Sequence, residues 1–151
     1  MRPRTNTDLA WVAGQIVLIG LVAAAALLGP HWPAALALAV IGVVLAVAGG
    51  LTMLWGGRTL GHSLTPYPSP RGTHLERGPY RFIRHPMYGG GIVLATGVAL
   101  ASSPVALAPA LALVPFLLVK ARYEERLLAE ADPSYGEYLG RVRRRFIPGL
   151  L

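Results

Sequence analysis

The sequence predicts an all-α polytopic membrane protein. It would have four transmembrane helices, the last two forming a helical hairpin, and a cytoplasmic amphipathic helix near the C-terminus. Three observations predict this. The 151 residues are 54% hydrophobic and 14% charged, against about 25% charged in an ordinary soluble domain. The charges are also segregated: no Asp, Glu, Lys or Arg occurs in 9–57 or in 85–119. Finally, the 14 Lys and Arg residues all lie outside these apolar stretches: two before the first, five between them and seven after the last. A net charge of +7 and a pI near 10.6 in a soluble domain would point to nucleic acid. In a chain with mean hydropathy +0.50 the same surplus reads as a topology signal, with no nucleic-acid partner. The absence of cysteine excludes disulfides, thiolate metal sites and a cysteine nucleophile.

The segment 9–29 holds one strongly polar side chain, Gln15, and as a helix it spans roughly 30 Å, the hydrocarbon thickness of a bilayer. Pro30-His31-Trp32-Pro33 breaks it, and 34–55 supplies a second span. A cleaved signal peptide would be shorter and would not be followed at once by another span. The charge-free run 85–119 would be about 52 Å long as one straight helix, too long for a single span. Ser102-Ser103-Pro104 near its middle marks a reversal, giving spans over 88–101 and 105–122. With four spans all fourteen cations fall on one side, whereas three spans would translocate half of them. The positive-inside rule therefore predicts one integral membrane domain over 1–151, multi-pass, with both termini cytoplasmic.

Two cytoplasmic segments remain. The loop 56–86 is rich in Pro, Gly and Thr and reads as extended and turn-rich. A loop of this length in a small domain is usually functional. The tail 123–151 begins as a charged continuation of the fourth helix, with Lys120–Glu124 and Arg126–Glu130 at i,i+4. Asp132-Pro133 ends it. Tyr135, Tyr138, Leu139 and Val142 then recur at helical spacing.

Two clusters can carry chemistry. Gly78-Pro79-Tyr80-Arg81-Phe82-Ile83-Arg84-His85-Pro86-Met87-Tyr88-Gly89-Gly90-Gly91 leads into the third span. Pro86 suits a first helical turn, whose free N–H groups favour an anion. The glycines admit a ligand or another helix close to the backbone. A structural role explains the same residues equally well: Arg84 snorkelling, Tyr88 anchoring and glycines packing helices. The second cluster, Arg122-Tyr123-Glu124-Glu125-Arg126, returns on the hairpin to the same membrane face. Adjacent carboxylates point about 100° apart on a helix, so Glu124 and Glu125 can face different partners. His62 and His74 are too scattered for a metal set, and no metal is expected.

Gly78-Pro79-Tyr80-x-x-x-Arg84-His85-Pro86-Met87-Tyr88, followed after a hairpin by Arg122-x-Glu124-Glu125-x-x-Leu128, resembles the isoprenylcysteine carboxyl methyltransferase family of integral membrane enzymes. Tyr135-x-x-Tyr138 and Arg145-Phe146-Ile147-Pro148 are similar to that family's ending, so the resemblance covers about 56–148. Phospholipid N-methyltransferases share the Arg-His-Pro-x-Tyr-Gly-x-Gly and Glu-Glu features. The resemblance implies an S-adenosylmethionine site in which His85, Pro86, Tyr88 and the Gly89 and Gly91 backbone hold the cofactor. Glu125 or Glu124 would take its polar atoms, and Gly78 and Tyr80 would shape the approach loop. It further implies a lipidic or isoprenoid-bearing substrate entering from the bilayer. A carboxylate acceptor needs no general base, and Arg84, Arg122 or Arg145 could orient it through a guanidinium fork. An amine acceptor must lose a proton, which Glu124, Glu125 or His85 could take. Carboxyl O-methylation leads. Amine or phospholipid N-methylation, a nicotinamide-dependent membrane reductase of related fold and a non-enzymatic protein binding anionic lipid are the alternatives.

Overall fold

The computed structural model describes residues 5–33, 36–68 and 76–146. The described residues form helices and turns without strands. Helix α1, Asn6–Leu28, starts at a capping box in which Thr5 Oγ1 accepts from the Asp8 amide and Asp8 accepts from the Thr5 amide. This satisfies donors that have no intrahelical partner. Gly29 ends α1 ahead of the proline-flanked turn. Helix α2 runs from Leu36 to Leu60 and passes into a 3₁₀ turn at Gly61–Ser63. The predicted second span stopped at 55. The helix continues past Gly56 because that glycine packs against Met87 and Pro86, so the loop expected from 56 begins a turn later.

Helix α3, Pro86–Ser102, opens on the expected proline. Ser103 and a 3₁₀ turn at Pro104–Ala106 reverse the chain into α4, Leu107–Ala131. Pro115 lies inside α4 and removes one backbone donor there. Asp132 Oδ1 accepts from the Ser134 amide at 3.0 Å and from its hydroxyl at 2.6 Å. That turn leads to α5, Tyr135–Arg141, which realises the predicted amphipathic pattern by burying Tyr135 and Tyr138. Three of these elements, Asn6–Leu28, Leu36–Ser63 and Pro104–Ala131, are long and apolar enough to cross a membrane. Helix α3 is the shorter apolar one, about 26 Å long at 1.5 Å per residue.

Helices α1, α3 and α4 share one core of Val22 and Ala26, Ile92, Ala95 and Ala99, and Ala110, Leu113, Leu117 and Ala121, closed at one end by Phe146. Helix α2 packs on α3 through glycines. A Cβ on Gly49 would fall on the backbone of Leu94 and lie 2.5 Å from the Gly90 carbonyl, and one on Gly97 would meet Ala46 and Gly42 in the same way. The spacing of seven residues between Gly42, Gly49 and Gly56 keeps them on one face, letting the two backbones meet as small residues do in membrane helix pairs. The outer faces of α1 and α2 carry Ile16, Val17, Leu27, Leu28, Leu36 and Val44, all exposed, as befits a hydrocarbon solvent. At the hairpin end the Trp32 indole donates to the Ala99 carbonyl at 3.1 Å, tying the α1–α2 turn to α3.

Candidate functional site

The loop before α3 is shaped by backbone conformation. Gly78 has φ +56°, a left-handed value that glycine adopts without strain, and it opens the 3₁₀ turn Gly78–Arg81. A side chain there would strike Thr59 at the end of α2. The Tyr80 carbonyl accepts from the Tyr138 hydroxyl at 2.8 Å, joining this turn to α5. Burial pushes the Tyr138 hydroxyl up to about 12, helped by Glu76 and Glu125 against Arg84, so it stays a neutral donor.

The start of α3 is then covered by the tail. The amides of Arg84 and His85 donate to the carbonyls of Arg144 and Arg145 at 2.9 and 2.8 Å. Gly89 lets the Phe146 backbone lie directly against the first turn of α3, where a Cβ would collide with the Phe146 carbonyl. Two of the glycines read as cofactor or helix contacts thus have protein neighbours: Gly89 faces the tail and Gly90 faces α2. Gly91 has only the Met53 sulfur near its Cβ position, at 3.8 Å.

Around this turn the predicted residues converge. The Tyr88 ring stacks on His85, with centroids 5.4 Å apart and planes 3° from parallel, and Phe146 meets both edge-on. The Tyr88 hydroxyl donates to Glu124 Oε1. His85 bridges the carboxylate pair, with Nε2 3.3 Å from Glu125 Oε1 and Nδ1 3.6 Å from Glu124 Oε2. Glu125 also receives Arg84 Nη1 at 3.3 Å, and Arg145 through Nε at 3.1 Å and Nη2 at 3.1 Å. The remaining nitrogens of Arg84 donate to the carbonyls of Val142 and Leu139, at 2.5 and 3.0 Å. Adjacent acids on α4 therefore take separate partners: Glu125 holds the arginines and Glu124 holds Tyr88. Charge-assisted contacts of this kind are stronger than neutral ones.

Arg122 is the exception among the nominated residues, since it lies exposed on α4. The local ion pair expected between Lys120 and Glu124 is not formed. Lys120 turns inward, 1% exposed, and donates to Gln15 Oε1 at 2.6 Å and to the Pro66 carbonyl at 3.1 Å, with its nitrogen 5.2 Å from the Tyr88 ring centre. Arg126 and Glu130 are both exposed and are likewise not among the ion pairs of the described residues. Sequence reasoning missed Lys120 and Gln15 as neighbours of the site. The available signal was that Gln15 is the one strongly polar side chain of its apolar stretch; Lys120, at the edge of the charged segment, carried none. Ile147 and Pro148 of the tail motif, and His74, lie outside the described residues.

Paired carboxylates, a stacked His–Tyr pair and a fixed loop thus meet at one end of an apolar helical bundle, an arrangement suited to a polar reactant served from a membrane. The chain matches the model of the phospholipid methyltransferase family over residues 37–136 and belongs to that family, within the wider superfamily that also holds the isoprenylcysteine carboxyl methyltransferases. Comparison with curated proteins gives no match. Membership implies methyltransferase activity, and methyltransferases of this family generally use S-adenosylmethionine. With this family and three helices long and apolar enough to cross a membrane, the chain is an integral membrane protein.

Proposed function

We propose that this protein transfers a methyl group from S-adenosylmethionine to a lipidic or isoprenoid-bearing acceptor at the cytoplasmic face of the membrane, with a carboxyl oxygen as the leading acceptor. The observation that carries this is the convergence of Gly78-Pro79-Tyr80, Arg84-His85-Pro86-x-Tyr88 and Glu124-Glu125, distant in sequence, at one end of the bundle. The donor set fits the cofactor. Carboxylates suit its ammonium and ribose hydroxyls, an arginine suits its carboxylate, and aromatic rings suit its adenine and its sulfonium charge.

When bound, S-adenosylmethionine supplies a methyl group already activated on a sulfonium sulfur, so the protein has mainly to align the acceptor and exclude water. His85, Tyr88, Glu124 and Glu125 would form the cofactor side of the site, with Pro86 and Gly91 at the same helix start. Arg84 and Arg145 brace Glu125 and so act as positioning residues. A carboxylate acceptor arrives ionised and asks no proton transfer of these groups. The family's phospholipid members favour a second reading, methylation of a headgroup amine, in which Glu124 or His85 would accept the amine proton.

Four spans with both termini cytoplasmic belong to the same proposal, over one domain spanning the whole chain. Every charged residue of the described chain lies outside the interiors of the two apolar stretches 9–57 and 85–119, and α3 and α4 form the antiparallel hairpin that returns Glu124 to Tyr88. The test is ligand stabilisation of the purified full chain in detergent by S-adenosylmethionine, S-adenosylhomocysteine and NADPH. A bound ligand raises stability by RT ln(1 + [L]/Kd). The adenosyl ligands should stabilise the parent, and should lose that effect with Glu124→Gln and with His85→Ala. Stabilisation by NADPH alone would overturn the proposal.

A further inference from the structure

Lys120 is the one buried cation among the described residues, and it is absent from every ion pair formed among them. Its two hydrogen-bond partners are neutral oxygens, the Gln15 amide and the Pro66 carbonyl. Glu124 attracts Lys120 electrostatically without forming an ion pair, and withdrawing an ammonium from water without a directly paired anion is costly, by several kcal/mol in real proteins. Glu124, one turn further along α4, is engaged by the Tyr88 hydroxyl and His85. The arginines that sequence reasoning nominated to grip an acceptor are otherwise occupied or remote. Arg84 and Arg145 are committed to Glu125 and to backbone carbonyls, and Arg122 is exposed. Lys120 also lies against the Tyr88 ring, on the same helix as the core residues Leu113 and Leu117.

We infer that Lys120 is the acceptor-binding residue: its ammonium takes an anionic oxygen of the lipid, in exchange for the Pro66 carbonyl, while Gln15 keeps the ammonium aimed. This rests on the methyltransferase reading above and adds the substrate class, an amphiphile bearing an oxyanion next to the methylated atom. Two sources share that chemistry, a lipid carboxylate and the phosphodiester of an amine phospholipid. They differ in outcome. Methylating a carboxylate makes a neutral ester and removes the charge that Lys120 holds, so the product is released, whereas a phosphodiester keeps its charge through every methylation. Lys120 takes no part in the bond exchange.

The experiment uses full-length protein in neutral detergent, saturated with S-adenosylhomocysteine, with thermal stability followed by tryptophan fluorescence. Four amphiphiles are titrated: oleate, methyl oleate, dioleoyl phosphatidylethanolamine and dioleoylglycerol. The parent should prefer at least one oxyanion-bearing lipid over its counterpart without the oxyanion by about tenfold or more in apparent Kd. Oleate over methyl oleate identifies the carboxylate source, and the phospholipid over dioleoylglycerol identifies the phosphodiester. Lys120→Met should erase that preference and Lys120→Arg should retain it, both with unchanged affinity for S-adenosylhomocysteine. Lys120→Gln carries the comparison if the Met variant does not fold. The inference is overturned if the neutral variants keep the preference, if Lys120→Arg loses it, or if cofactor affinity falls in step with lipid affinity. Failure of the parent to bind S-adenosylhomocysteine would sink the methyltransferase reading instead. A parent that binds it but shows no preference for an oxyanion-bearing lipid sinks this inference alone.

Discussion

Replacing Gly89 by Ala should release the C-terminal tail from the start of α3. The new Cβ would collide with the Phe146 carbonyl, a backbone atom that no rotamer change can move aside. If the tail yields, the amides of Arg84 and His85 lose their bonds to Arg144 and Arg145, worth about 1 kcal/mol each net. Phe146, 1% exposed, gives up burial worth about 2 kcal/mol. These are ceilings, since the chain can shift partway, and overpacking in practice costs about 1–3 kcal/mol. A loss of about 2 kcal/mol raises the population of the detached tail by about 30-fold. Arg143 and Arg144 are exposed on that tail and offer trypsin sites once the backbone is freed. Limited trypsinolysis in detergent, read by intact mass, should therefore show cleavage at these sites about 30-fold faster, in the regime where opening precedes cutting. Gly20→Ala is the control, since nothing lies within 4 Å of its Cβ position. If Gly89→Ala is cleaved within about threefold of the parent, about 0.7 kcal/mol, the tail is not held as described.

Gly49→Val should destabilise the α2–α3 pair by about 3 kcal/mol, because the added atoms meet backbone at Leu94 and Gly90. Gly50→Val meets only the flexible end of Leu94 at 3.4 Å and should change the thermal midpoint far less, so equal losses for the two would contradict the packing. Tyr138→Phe should lose about 1 kcal/mol with the hydrogen bond to the Tyr80 carbonyl, measured by denaturation at neutral pH. Because the folded chain holds this hydroxyl up to about 12 against about 10 when unfolded, its contribution is complete below about pH 10 and disappears as pH rises toward about 12. The stability gap between parent and Tyr138→Phe should close across that window, and a constant gap would show that Tyr138 is not the titrating group.

Much of the site was legible because its residues fall in short motifs. Arg84, His85, Tyr88, Glu124 and Glu125 are distinctive as types and spacings, and an apolar hairpin of known length must return the second group to the first. Lys120 was not legible in the same way. Its i,i+4 relation to Glu124 gave a satisfactory surface reading, and only packing shows the side chain turned inward to Gln15, a hundred residues away in the chain. The three successive glycines were equally ambiguous, since nothing in Gly89-Gly90-Gly91 says which faces a helix, which the tail and which open space.

The sequence by itself determined that this is a helical membrane protein with its charges gathered at the ends of apolar stretches. Hydropathy, helix rise and proline placement act locally and need no knowledge of neighbours. It also determined which residues could do chemistry, because the side-chain types are there to be read. Only the tertiary structure decided the partners: Glu125 with two arginines and His85, Glu124 with Tyr88, Lys120 with neutral oxygens. In a low-dielectric site the worth of a charge depends on what lies within a few ångströms, and that is set by how four helices and a tail pack, not by any one of them. The placement of the fourteen cations could be counted along the chain, but that Lys120 is the one buried among the described residues was decided in three dimensions.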